Sequence, residues 1–247
     1  MSRVLLILLL VAGVASVDAA PSKSDAAETK TKKKKRKKKK EKDDRTPNKR
    51  TKANMPRGFV WPPSKTMEEA ADACELQLDE LGVAYETAAP AGKIVRPLKI
   101  SGDIAGITYT SLNGRNQTFD CQLVLTLANF APKLQELGIK EVKFGSAFRY
   151  TKVRVGGKTK NVLSRHALGI ALDVYAFVDS EGHEANVHHD YKRGDELLHE
   201  LERTANNSGM FRILLTPRND PKSHYDHFHF EANPDYANEL TAEKPAS

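Results

Sequence analysis

The 247-residue chain carries 39 Lys plus Arg against 32 Asp plus Glu, a formal charge of +7 that at first suggests a nucleic-acid binder. Counted by segment, residues 21–57 hold 17 basic and 5 acidic residues, whereas residues 58–247 hold 21 basic and 26 acidic. The excess sits in one short stretch, so the part able to fold is mildly acidic and lacks the electrostatic footprint of a nucleic-acid-binding domain. With 39% hydrophobic residues in the chain, residues 58–247 are long enough for one core, and one folded domain is expected.

At the start, Arg3 precedes the apolar run Val4 to Ala12, and small residues follow up to Ala19-Ala20. That order is expected of a cleaved secretory signal over residues 1–20, which implies an exported chain, periplasmic or secreted. The run is shorter than the roughly 18 to 20 residues needed to cross a bilayer, and no later segment is long and apolar enough. Residues 21–57 contain the run Lys32 to Lys40, interrupted only by Arg36. Like-charge repulsion and the scarcity of apolar residues predict a disordered linker. It reads as either an electrostatic tether to an anionic cell-envelope surface or a plain solvated spacer.

In the folded part, Thr66-Met67-Glu68-Glu69 has capping-box spacing, and Met67, Ala70, Ala71, Cys74, Leu78 and Leu81 recur at helical intervals up to Gly82. Residues 94–100 and 107–110 read as short strands, with Asn113-Gly114 as a turn. A second helix is predicted over residues 120–137, with Leu123, Leu127, Phe130 and Leu134 inward. Further strands are expected at residues 141–144, 169–178, 211–216 and 227–231, and a helix at 195–205. Helices first and short strands later favour an α+β fold, with a small antiparallel sheet between flanking helices. The two cysteines, Cys74 and Cys121, suggest a disulfide in an exported chain; the alternative is a pair of buried thiols.

All eight histidines lie between His166 and His229. His227 and His229, two apart on a predicted strand, share one face. Asp173 falls on the otherwise apolar face of Ala171, Tyr175 and Phe177, where an uncompensated charge is costly and calls for a cation. Two imidazoles and a carboxylate fill three positions of a tetrahedral zinc and leave the fourth for water, whose pKa zinc lowers to about 7. Such chemistry also needs a proton acceptor and a cation near the developing oxyanion. Asp226 can be the first and Arg149, at the end of Phe144-Gly145-Ser146-Ala147-Phe148-Arg149, the second. His183, His188 and His189 read as surface residues, His199 as exposed or capping, and His224 as either a loop residue or a supporting neighbour of the site.

At Ser164-Arg165-His166-Ala167, at Gly169-Ile170-Ala171-Leu172-Asp173 and at His224-Tyr225-Asp226-His227-Phe228-His229-Phe230 the sequence resembles the bacterial extensin-like C-terminal family. Through that family it resembles the zinc peptidases of the D-Ala-D-Ala carboxypeptidase and hedgehog type. The resemblance covers residues 73–232. It implies His166, Asp173 and His229 as Zn2+ ligands, Asp226 as general base, His227 as a group that steadies the transition state, and Arg149 as the residue facing a substrate carbonyl or carboxylate. The implied activity is that of a peptidoglycan hydrolase, a D,D-carboxypeptidase or endopeptidase acting on stem peptides. Arg165 stands where related sequences carry an acid, which is expected to alter the rim of the site. Two other readings compete: a wall-binding module with a vestigial or structural metal site, and a two-His, one-carboxylate iron oxygenase. The latter usually places its carboxylate two residues after the first His, not seven.

Overall fold

The computed structural model describes residues 54–114, 117–155 and 157–237. The expected signal and the lysine run lie outside the described residues. The domain's contacts begin ahead of Gly58: Asn54 Nδ2 donates to Leu163 O at 2.7 Å, and Arg57 pairs with Asp235.

Helix α1 (Lys65–Glu80) starts once Pro62-Pro63 ends, capped by Ser64, whose hydroxyl accepts from Met67 N at 3.3 Å. Ser64 therefore takes the capping role expected at Thr66. Met67, Ala71, Cys74 and Leu78 form its buried stripe. Helix α2 (Cys121–Glu136) is capped by Asp120, which accepts from Gln122 N through one oxygen and from Val95 N and Arg96 N through the other. One buried carboxylate thus fixes both the helix start and the chain leading into the small sheet of β1 (Tyr85–Thr87), β2 (Pro97–Ile100) and β4 (Phe119–Asp120).

The main sheet contains β3 (Thr108–Ser111), β5 (Ile139–Ser146), β8 (Ala171–Asp179), β10 (Ile213–Leu215) and β11 (Phe228–Glu231), ordered β10-β11-β8-β5-β3, with the short β9 (Glu184–Asn186) paired to β8. All its pairs are antiparallel except β3 with β5, which run parallel. That pair corrects the expectation of a purely antiparallel sheet: β3 reaches β5 through the crossover that contains β4 and α2, a connection that permits parallel pairing. A separate hairpin, β6 (Lys152–Val155) with β7 (Lys158–Leu163), follows β5. Two short helices, α3 (Val187–Asp190) and α4 (Glu196–Ser208), complete a mixed α and β domain with four α-helices among the described residues.

The core gathers Leu123, Leu127 and Phe130 of α2 with Val142 and Phe144 of β5, Leu172, Val174 and Phe177 of β8, and Phe228 and Phe230 of β11. Helix α1 is held against α2 by a disulfide between Cys74 and Cys121, with Cα atoms 6.1 Å apart. Both cysteines are buried, and the bridge closes a separation of 47 residues. By loop-closure entropy such a bridge stabilises by about 4 kcal/mol. Cys74→Ala with Cys121→Ala is accordingly expected to lower the free energy of unfolding in urea by that amount, and a loss below about 1 kcal/mol would show that the bridge does not constrain the unfolded chain.

Candidate metal centre

Asp173 and His229 are direct register partners on the antiparallel strands β8 and β11. His166 arrives from a 3-10 turn (Arg165–Leu168) that ends at Gly169. Gly169 has φ +69°, and a Cβ there would lie 2.8 Å from Asp120 N, so only glycine turns the chain from His166 into β8 at this point. These constraints bring three side chains together. Asp173 Oδ1 lies 3.1 Å from His166 Nε2 and 2.8 Å from His229 Nδ1, and the two ring nitrogens are 3.2 Å apart. The three residues are 1%, 1% and 6% exposed, so water does not satisfy them.

The second oxygen of Asp173 is already engaged, accepting from Ser146 Oγ at 3.0 Å and pairing with Arg149 Nη2 at 3.0 Å. The Arg149 side chain remains about half exposed, so its other donors face outward. His227 Nδ1 donates to Asp226 Oδ1 at 2.8 Å, and its Nε2 lies 3.5 Å from Asp173 Oδ1. The structure therefore brings all six expected residues into one neighbourhood, with Asp226 reaching it through His227. The His227 ring stacks on Tyr175 at 5.1 Å, and Tyr175 in turn lies where a Cβ on residue 145 would come within 2.4 Å of its ring. Gly145 of β5 thus makes room for the aromatic plate under His227.

An open cleft of about 570 Å³ runs alongside, bordered by Arg149, His166, His227 and His229. A family model described as extensin-like protein C-terminus matches residues 72–240. The chain belongs to the extensin-like C-terminal family. No curated protein and no solved structure matches the chain.

The buried partners of the extensin-like domain fix which ring nitrogens are available. Ala147 O lies 3.0 Å from His166 Nδ1 and can only accept, so Nδ1 carries the hydrogen and Nε2 the lone pair. Glu231 Oε1 lies 3.0 Å from His229 Nε2 and can hold the hydrogen there, which in the neutral ring leaves the Nδ1 lone pair toward Asp173. With both rings neutral, three electron-rich atoms face one another with no donor between them. A tetrahedral zinc with bonds of about 2.0–2.1 Å holds neighbouring donor atoms roughly 3.3 Å apart, close to the observed spacing. The donor set therefore fits such an ion.

A proton answers the same demand. Burial alone would push the His229 imidazole down, but the carboxylates of Asp173 and Glu231 outweigh it and hold the ring at about 9. Burial of His166 pushes its ring down, only partly opposed by Asp173. Burial would raise the Asp173 and Glu231 carboxyls, yet the imidazoles hold Asp173 well below the usual range, and His229 with Arg212 and Arg165 brings Glu231 to about 2.

Glu231, which meets His229 Nε2, is the residue of this cluster that the sequence pattern did not single out, although its position two residues after His229 on one strand placed it on the same face. Arg165 departs from the expected rim position: it is 2% exposed and donates from Nε to Asn54 O at 2.8 Å, with Glu231 Oε2 3.6 Å away. His224 acts as a supporting neighbour, its ring 4.9 Å from His227 and 5.2 Å from His229, and its Nδ1 2.6 Å from Asp220. His183, His188 and His189 are exposed as expected, and His199 caps the backbone at Tyr191 O.

The sign of the pH effect follows. His229 is raised in the folded state above its unfolded value of about 6.5. In the metal-free chain its contribution to stability is fully present below pH 6.5 and is lost as pH rises through about 9. Melting temperature of chelator-treated protein should fall across that window, and His229→Gln should remove most of that slope; an unchanged slope in the variant would exclude His229 as its source.

Proposed function

We propose that this extensin-like domain is an exported zinc-dependent peptidase of peptidoglycan stem peptides, of the D,D-carboxypeptidase or endopeptidase type, with the zinc-peptidase relationship described above. The observation that carries this reading is the convergence of His166 Nε2, His229 Nδ1 and Asp173 Oδ1 within 3.2 Å of one another, with a second carboxylate, Glu231, and a carbonyl holding both rings from behind. Beside the triad stand a proton-handling pair and a cation, which is what amide hydrolysis requires. The Cys74–Cys121 bridge supports an oxidising compartment, in keeping with export to where that substrate lies.

When bound by His166, Asp173 and His229, zinc would supply a water acidic enough, with a pKa of about 7, to attack at neutral pH, and a Lewis acid for the carbonyl oxygen. The chain's own groups do the rest. Asp226 accepts the Nδ1 hydrogen of His227, leaving Nε2 as the proton acceptor on the cleft side. The two therefore act as a unit that takes the proton from the attacking water and returns it to the leaving amine. Arg149 keeps one nitrogen on Asp173 and directs its other donors at the substrate carbonyl or a terminal carboxylate. Tyr175 holds the His227 ring at a fixed tilt, so the acceptor nitrogen does not swing away.

Elemental analysis of purified protein dialysed without chelator is expected to find about one zinc per chain. His166→Ala should lose both metal and hydrolysis of muropeptides, whereas Asp226→Ala should keep zinc and lose about 10² to 10⁴ in kcat. Wild-type turnover in Asp226→Ala would remove its role. Iron at full occupancy would favour the oxygenase reading, and wall binding that survives chelation without cleavage would favour a binding module.

A further inference from the structure

The segment between two site residues, Arg149 and His166, is not spent on the site itself. Its base is closed by Ser164 N donating to Thr151 O at 2.9 Å and by Arg149 N donating to His166 O at 3.3 Å. Between these bonds the chain leaves the domain as the hairpin of β6 and β7, so a two-stranded wall rises directly from the metal site. From Arg149 to Arg165 the sequence has six basic residues and no acidic one, within a domain whose residues 58–247 carry five more acids than bases. The positive charge is local to this wall.

Most cations around the cleft are already engaged: Arg149 with Asp173, Arg165 and Arg212 with Glu231. Lys152 and Arg154 are different. Both are exposed, both line the cleft, and neither is paired with a carboxylate among the described residues; Lys152 Nζ meets only the neutral amide of Asn161, at 2.9 Å. They stand two apart on β6, where the pairing with β7 is irregular, and both border the cleft, separated by roughly 7 Å at the strand's rise of about 3.4 Å per residue. Two unspent cations along one wall of a cleft whose floor holds the metal ligands focus a positive field where substrate enters.

We infer that Lys152 and Arg154 form a carboxylate-reading subsite, and that the substrate is a peptide bearing free carboxylates beside the amide presented to the triad. This rests on the hydrolase reading for the reaction but not for binding. Charge recognition of this kind is read in affinity and is weakened by salt.

The test uses the full chain, so that the lysine run is common to every sample, and two synthetic stem peptides identical except that the internal carboxylates are free in one and amidated in the other. Lys152→Ala with Arg154→Ala is expected to raise KM for the acid peptide about tenfold, equivalent to about 1.4 kcal/mol, with the effect on kcat much smaller. The amidated peptide should show no such difference, and Lys140→Ala, an exposed cation of β5 outside the cleft, should match wild type. Binding is measured in parallel by fluorescence anisotropy on the Asp226→Ala background. Equal affinity of wild type for the acid and amidated peptides, or an equal loss in Lys140→Ala, overturns the inference. So does a double-stranded DNA that outcompetes the acid peptide in a manner dependent on Lys152 and Arg154. Failure to cleave either peptide, with binding that still discriminates between them through this pair, removes the hydrolase reading and leaves the subsite standing. Cleavage of both with equal KM does the reverse.

Discussion

A carboxylate with 1% exposure at the centre of a sheet is the constraint around which the domain is arranged. Asp173 sits mid-strand with Leu172 and Val174 turned into the core, where an ion without partners would cost several kcal/mol. Its two oxygens divide the task. Oδ2 is neutralised within the fold by Ser146 and Arg149, and Oδ1 is left to the two imidazoles. Because Oδ2 is satisfied by the end of β5, the strand that carries Asp173 is locked to its neighbour at the point where β5 leaves the sheet. The register of β8 with β11 then decides which residue faces Asp173 from the other side, and a slip of one position would replace His229 with phenylalanine.

The surrounding structure serves this arrangement at increasing distance. Glu231 orients His229 and is itself held by Arg212 and Arg165, and Arg165 reaches Asn54 at the first described residue. A second buried carboxylate, Glu202 of α4, accepts from Tyr191, Thr216 and Arg218. It pins the chain leaving β10, and that chain delivers His224 and Asp226. Asp120 does the same for the start of α2 and the approach to Gly169. Each of these acids is fully engaged with donors, as burial requires. Polar residues, and not the apolar core alone, set where the site's elements begin.

How far the sequence foretold this depends on which physical signal each part leaves. Helix α2 was legible because its apolar residues repeat at helical spacing between an acidic cap and Gly138, and β8 and β11 were legible because an Asp and a His on hydrophobic strands stand out. The triad followed from the same contrast. The β6–β7 hairpin left no such mark: β7 is almost wholly exposed, so no apolar alternation announces a strand. Glu231 was hidden differently, since a charged residue at a strand end reads as solvated. Only the register with β10, where Ile213 opposes it and Arg212 lies alongside, shows it to be interior. Arg165 was misplaced to the rim for the converse reason, because an arginine is seldom buried unless a carboxylate from a distant strand awaits it.

The charge pattern completes the argument. Over the whole chain, the positive excess belongs to residues 21–57. Within the domain, excess acid is spread over the surface while cations gather on the hairpin beside the triad. Glu231, Asp173 and Asp226 place three carboxylates near the floor of the cleft, which by themselves would repel an anionic peptide. Arg149, Arg165 and Arg212 offset them close by, and that leaves the field of Lys152 and Arg154 uncancelled at the mouth. On the proposed reading, such a cleft would draw acidic groups to its wall while keeping its floor electron-rich enough for a divalent cation, two demands that a uniform charge distribution could not meet together.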